Sequence, residues 1–285
     1  MRGVLFDILK DIPRHFLRRN CPRMATSLSY QTLLALVPLA VLALSLLTFV
    51  DAFYSLQQDI LFFLFDNFLP GTINNVYDIL QDLVLNAEQM TAVGVIGLAV
   101  TAVLLFLGIE SSFHEIWQVK TTRNLFKRLF AYLLLILLGP IILSSSLTLM
   151  NYVTALSEEV GGISLAPLVP YVKFTLPFVM SFIILFALYI LVPAQKVRVL
   201  HGAIGAGVAA ALFVGGKLVF GYYLILFPSY QVIYGALAIL PLFLVWLYVS
   251  WLLVMLGATI TAVLGFYLNG ALSPRENPVR LYDET

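Results

Sequence analysis

An all-α, polytopic membrane protein is the fold class that this sequence predicts, and three observations predict it. The chain is 61% hydrophobic and 11% charged, against about 45–50% apolar and about 25% charged in soluble domains. Six apolar stretches between 28 and 267 reach the roughly 20 residues that a helix needs to cross a bilayer. Fourteen of the sixteen Lys and Arg fall in the N-terminal segment, the second and fourth loops and the tail, while the intervening loops hold only Lys173. That alternation is a positive-inside pattern, which places both termini in the cytoplasm. The net charge of +1 carries no information about partners.

The organisation that follows is a cytoplasmic amphipathic segment at 1–27, a six-span domain at 28–267 with an outer helical hairpin at 51–90, and a cytoplasmic tail at 268–285. In the first segment Leu5, Ile8, Leu9, Ile12 and Phe16 recur at helical spacing among Arg2, Lys10, Arg14, Arg18, Arg19 and Arg23. This predicts an interfacial helix with its basic side toward anionic head groups, broken or kinked at Pro13. The first apolar run begins only near Leu28 and is too long for a signal h-region, so no cleavable signal is expected.

The first span, about Leu28–Val50, starts with the polar run Thr26-Ser-Leu-Ser-Tyr-Gln-Thr32 and contains Pro38. That start is either a polar helix end at the interface or the wall of a water-accessible cavity, to which Tyr30 and Gln31 would belong. Residues 51–90 hold six carboxylates and no Lys or Arg. Amphipathic pieces near 54–69 and 73–87, separated by Pro70-Gly71, predict the outer hairpin. Its acidic residues lack the spacing of a Ca²⁺ loop and read as a solvated face.

The second span, about Thr91–Ile109, runs on to Trp117 and sets Glu110 and His114 one turn apart. At 1.5 Å per residue Glu110 lies roughly 10 Å from the cytoplasmic end. It is either an interfacial carboxylate that pairs with the basic loop Lys120, Arg123, Lys127 and Arg128, or a proton or ligand site. The third and fourth spans are about Leu129–Tyr152 and Val172–Val192.

The fifth span, about Gly202–Ile225, carries two rows of small residues, Ala203/Gly207/Ala211/Gly215 and Gly202/Ala206/Ala210. Such rows let helix backbones approach closely in lipid. Lys217 falls on the second row at 100° per residue, and a charge there is expected to face the bundle. It could hold an anionic group of a substrate, or it could snorkel to the outer interface. The sixth span, about Ala236–Tyr267, begins beside Pro241.

The sequence offers little enzyme chemistry. There is one cysteine, Cys21, and the three histidines are far apart with no HExxH spacing, so no metal site and no cofactor are expected. The run Gly202-Ala-Ile-Gly-Ala-Gly sits in a membrane helix with no preceding strand and is not a phosphate-binding turn. No nucleic-acid partner is expected.

The blocks Arg23-Met-Ala-Thr-Ser-Leu-Ser-Tyr-Gln-Thr-Leu-Leu-Ala-Leu-Val-Pro38, Asn67-Phe-Leu-Pro70, Met90-Thr-Ala-Val-Gly94, Leu138-Gly-Pro140, Phe227-Pro-Ser-Tyr-Gln231 and Leu256-Gly-Ala258 resemble the YihY/BrkB family of bacterial inner-membrane proteins. The resemblance covers nearly the whole chain. It implies six spans in the inner membrane and no settled activity; the "ribonuclease BN" label carried by some members finds no metal-ligand set in this sequence. The leading expectation is a non-enzymatic transporter or translocator of an envelope-related solute or lipid. Its candidate site residues are Lys217, Glu110, Tyr30, Gln31 and His114, and its partners are the lipid bilayer and a lipid or small-molecule substrate. A membrane scaffold or envelope assembly factor, docking through 51–90, is the alternative. A membrane-bound nuclease ranks last, and the oligomeric state stays open.

Overall fold

The computed structural model describes residues 2–48, 92–119, 126, 128, 130–132, 134–135, 169–226 and 239–268. These residues form six helices: α1 (Arg2–Arg18), α2 (Cys21–Thr48), α3 (Ala92–Trp117), α4 (Val169–Leu191), α5 (Val199–Leu226) and α6 (Ile239–Leu268). The described residues of 126–135 are helical as well. Stretches 100–117, 199–224 and 240–267 are long and apolar enough to cross a membrane, and Thr175–Leu191 is a shorter apolar helix. The all-helical membrane class is therefore observed. The hairpin 51–90, most of the third span and the tail 268–285 lie outside the described residues.

The expected first, second, fourth, fifth and sixth spans coincide with α2 to α6 to within a few residues, except that α2 begins at Cys21, seven residues before the expected start. Prolines do not end these helices. Pro13, Pro38 and Pro177 are all inside one, so the expected break of α1 at Pro13 does not occur. Each removes one intrahelical donor at a site the surrounding helix tolerates. Pro241 is in the first turn of α6, where its missing N–H would have had no partner anyway.

The bundle is organised around α6, which packs on α5, α2 and α1 most heavily and also meets α3 and α4. Small residues make that possible. A Cβ on Gly205 would lie 2.6 Å from the Gly257 carbonyl oxygen, and a Cβ on Gly257 would lie 2.6 Å from Ala209 Cβ and collide with the Tyr189 hydroxyl. The backbones of α5 and α6 thus touch, as small-residue rows permit. Gly202 leaves room for Ile190 and Phe186 of α4. The row Gly202/Ala206/Ala210 is buried as expected, whereas Ala203, Gly207, Ala211 and Gly215 are half-buried or exposed.

Directed hydrogen bonds fix the helices that meet at α6. Tyr189 Oη donates to the Val254 carbonyl at 2.8 Å, and Trp251 Nε1 donates to Thr32 Oγ1 at 2.9 Å. Where water is absent, such bonds cannot be exchanged for solvent, although each contributes only about 0.6 kcal/mol on average in measured membrane helices.

α1 departs from the expected interfacial stripe. Ile8 and Asp11 are buried and His15 is half-buried, while Leu9, part of the expected stripe, is exposed. The helix is docked on the bundle through polar groups. Tyr267 Oη donates to Asp11, His15 Nε2 donates to the Ile116 carbonyl at 2.9 Å, and the His15 ring meets Phe266 edge-on. The His15 bond satisfies one of the last carbonyls of α3, which have no intrahelical donor. Apolar periodicity alone therefore misjudged which face is covered.

Cys21 is fully buried, and burial pushes its thiol up to about 11, so it should react with maleimide only on unfolding. It thereby reports stability. Gly257→Val should cost about 1–3 kcal/mol through overpacking and lower the temperature at which Cys21 becomes reactive. Gly215→Ala, with no neighbour within 4 Å, should leave that temperature unchanged.

Burial, opposed by the Ile116 carbonyl, lowers the His15 pKa from its ordinary value. The undocked helix then binds more protons, so this contribution to docking is complete above about pH 6.5 and is lost as pH falls through the lowered native value. Hydrogen exchange in 2–18 should be faster at pH 5 than at pH 7.5, and His15→Gln should flatten the difference.

Candidate functional site

Buried polar side chains are spread over the described bundle, at Asp11, Ser29, His201, Ser250, Thr259 and Thr261 as well as on α3; those nearest the expected site residues lie along 108–114 of α3. Gly108 gives the Gln31 side chain of α2 its space: a Cβ there would meet Gln31 Cδ at 3.0 Å and overlap its amide oxygen. Gln31 Nε2 donates to Ser27 Oγ at 3.1 Å. Among the described residues its buried Oε1 accepts no hydrogen bond.

Two residues further along, Glu110 is 2% exposed. A carboxylate so placed must be paired. Arg128 supplies the pairing, with Nη2 at 2.7 Å and Nε at 2.8 Å from Oε2. Tyr132 Oη donates to the same oxygen, and the Tyr132 ring stacks on Phe106 at 4.9 Å. The other oxygen, Oε1, accepts no hydrogen bond among the described residues and lies 3.6 Å from His114 Nε2. One face of the carboxylate is therefore saturated by Arg128 and Tyr132. The other faces an imidazole that can carry or release a proton.

The structure thus brings together two of the five expected site residues, Glu110 and His114. Gln31 lies against Gly108, two positions from Glu110 and so on a different face of α3. The other two are placed elsewhere. Tyr30 is 61% exposed, and no described contact joins it to this cluster. Lys217 is half-buried on α5, which packs on α4 and α6; it is nine residues from the far end of α5, whereas Glu110 is seven from the Trp117 end of α3. With α3 and α5 each carrying its basic loop or turn beside Trp117 and Val199, the two charges sit toward opposite ends of the bundle.

The pairing of Glu110 with the basic loop after α3 was one of the two readings open from the sequence, and Arg128 realises it. Tyr132 was missed. Its signal was its four-residue spacing from Arg128, which puts both on one helix face.

Elsewhere, Glu115 pairs with Arg19 at 3.4 Å on the surface, tying the α1–α2 turn to α3. At this basic end, residues 195–198, His201 and the last turns of α3 and α6 line a half-open cavity of about 110 Å³. Among the described residues no group of three or more His, Cys, Asp or Glu is gathered as a metal site would require.

A family model described as "Virulence factor BrkB" matches residues 12–279. The chain is 36% identical over 252 residues to a UPF0761 membrane protein of Aggregatibacter aphrophilus, covering 88% of this chain and 89% of that one. It is 40% identical over 244 residues to a UPF0761 membrane protein of Vibrio campbellii, covering 84% and 76%. A third, from Pseudomonas aeruginosa, is 36% identical over 254 residues, which is 89% of this chain and 62% of that longer one. No solved structure matches. Matched across most of its length by the family model and by these relatives, the chain belongs to the BrkB (YihY) family of membrane proteins.

Proposed function

We propose that this protein moves an envelope-related solute or lipid across a bacterial inner membrane, with both termini in the cytoplasm, and that it is not an enzyme. The observation that carries the reading is the Glu110 cluster. A carboxylate buried on a membrane helix is costly and by default functional. Arg128 and Tyr132 engage Oε2, while Oε1 lies toward His114. Proton gain or loss at His114 changes the cluster's charge by one beside a fixed Glu110–Arg128 pair. That gives the bundle an element able to favour one arrangement of its helices over another. Lys217 would meet an anionic part of the cargo nearer the other end.

Reconstitution tests this reading. In vesicles holding a fluorescent phospholipid in both leaflets, an impermeant quencher reaches about half of the label unless lipid crosses, with labelled envelope precursors assayed in parallel. The wild type should expose more than half of the label or accumulate a precursor. Glu110→Gln and Lys217→Gln should reduce the rate at least tenfold, and Lys173→Gln should leave it unchanged. Folded protein inactive toward every cargo would overturn transport in favour of the scaffold.

Stability separates the cluster's two roles. Glu110→Ala strands Arg128 and should cost about 3–5 kcal/mol, read by Cys21 reactivity on heating. Glu110→Gln keeps an acceptor for Arg128 and Tyr132 and should cost appreciably less, so its transport defect would not be a folding defect.

A further inference from the structure

The cavity at the basic end is built from parts that the Glu110 cluster does not use. The turn 192–198 between α4 and α5 contributes Gln195, Lys196, Val197 and Arg198, α5 contributes His201, α3 contributes Trp117, and α6 contributes Thr261, Ala262, Gly265 and Phe266. Three properties of the lining point the same way. Among the described residues its charged side chains are Lys196 and Arg198, both solvent-exposed, with no carboxylate. His201 is 2% exposed, lines the cavity and makes no hydrogen bond among the described residues. α5 begins at Val199 and its first backbone bond runs from Gly202 N to the Arg198 carbonyl, so the amides of its first turn have no intrahelical acceptor.

Buried polar groups are normally hydrogen-bonded; the His201 ring lines the cavity without a hydrogen bond among the described residues, so it can donate to a group held there. Two cations, an imidazole, a carboxamide and a helix N-terminus together offer N–H donors and positive potential, with no carboxylate among the described lining residues to repel an anion. At about 110 Å³, the cavity holds several waters' worth of volume, sufficient for one tetrahedral oxyanion. Arg198 provides planar donors suited to phosphate, and Lys196 a second positive charge.

We propose that this cavity is a binding site for a phosphate group, either as the head group of a phosphomonoester lipid or as free phosphate. The site stands whether or not the protein transports anything. Phosphate oxygens would accept from His201, Arg198 and Lys196, while Trp117 and Phe266 form the apolar side on which the remainder of a lipid could rest.

The test uses the full chain in nanodiscs. One arm adds inorganic phosphate to phosphatidylcholine discs; the other compares phosphatidic acid with phosphatidylcholine discs, with tryptophan emission and the ³¹P line width as readouts. Saturable binding in either arm is expected, and the arm that responds identifies the source. Lys196→Gln/Arg198→Gln should weaken binding at least tenfold, as should His201→Ala. Lys10→Gln/Arg14→Gln, which removes equal charge from α1, should change it less than twofold. Thermal reactivity of Cys21 checks that each variant is folded. No saturable response in both arms, or equal losses in the α1 variant, overturns the site.

Discussion

The fold depends on how closely α5 approaches α6. Lipid offers helices no hydrophobic reason to associate, so contact area and shape must do it. Glycine at 205 and 257 removes the atoms that would hold the two backbones apart, and Ala209, Thr261 and Tyr189 occupy the space that remains. Tyr189 then reaches the Val254 carbonyl, bringing α4 into the same seam. With that seam in place, α6 can serve on its other faces as the support for α2 and α1, and the basic-end cavity acquires its wall at Thr261, Ala262 and Gly265.

The polar interior obeys a second constraint, that buried charge must be compensated. Glu110 meets it asymmetrically, with Arg128 and Tyr132 on one oxygen and His114 beyond hydrogen-bond reach of the other. Gln31 repeats the pattern, since its amide nitrogen is bonded and its buried oxygen accepts nothing among the described residues. Glu110 and Gln31 thus each keep spare acceptor capacity, on different faces of α3. The α6 helix also holds unsatisfied polar atoms, since the buried Trp246 Nε1 and Ser250 Oγ have no hydrogen-bond partner among the described residues.

Much of this was legible from residue order. The helical class, the ends of α3 to α6 and the buried row Gly202/Ala206/Ala210 follow from periodicity and side-chain size, which are local properties. The partner of Glu110 was legible because Arg128 lies in the next basic loop. What local pattern could not show depends on residues far apart in the chain. The burial of Asp11 and His15 depends on Tyr267 and Ile116, so α1 read as a free interfacial helix. The cavity draws its lining from three separated segments. Tyr30 and Gln31 are adjacent in sequence, yet one is outside the bundle and the other is wedged at Gly108; the direction of a polar helix start is set by its neighbour and not by its own composition.

The docking of α1 has a consequence for biogenesis. Asp11 and Tyr267 are 256 residues apart, so α1, made long before α6, finds this partner only after α6 has been inserted. Until then Asp11 lacks this partner, and nascent chains cut short of α6 would never gain it. Closure of this latch is thus a molecular signature of completed insertion.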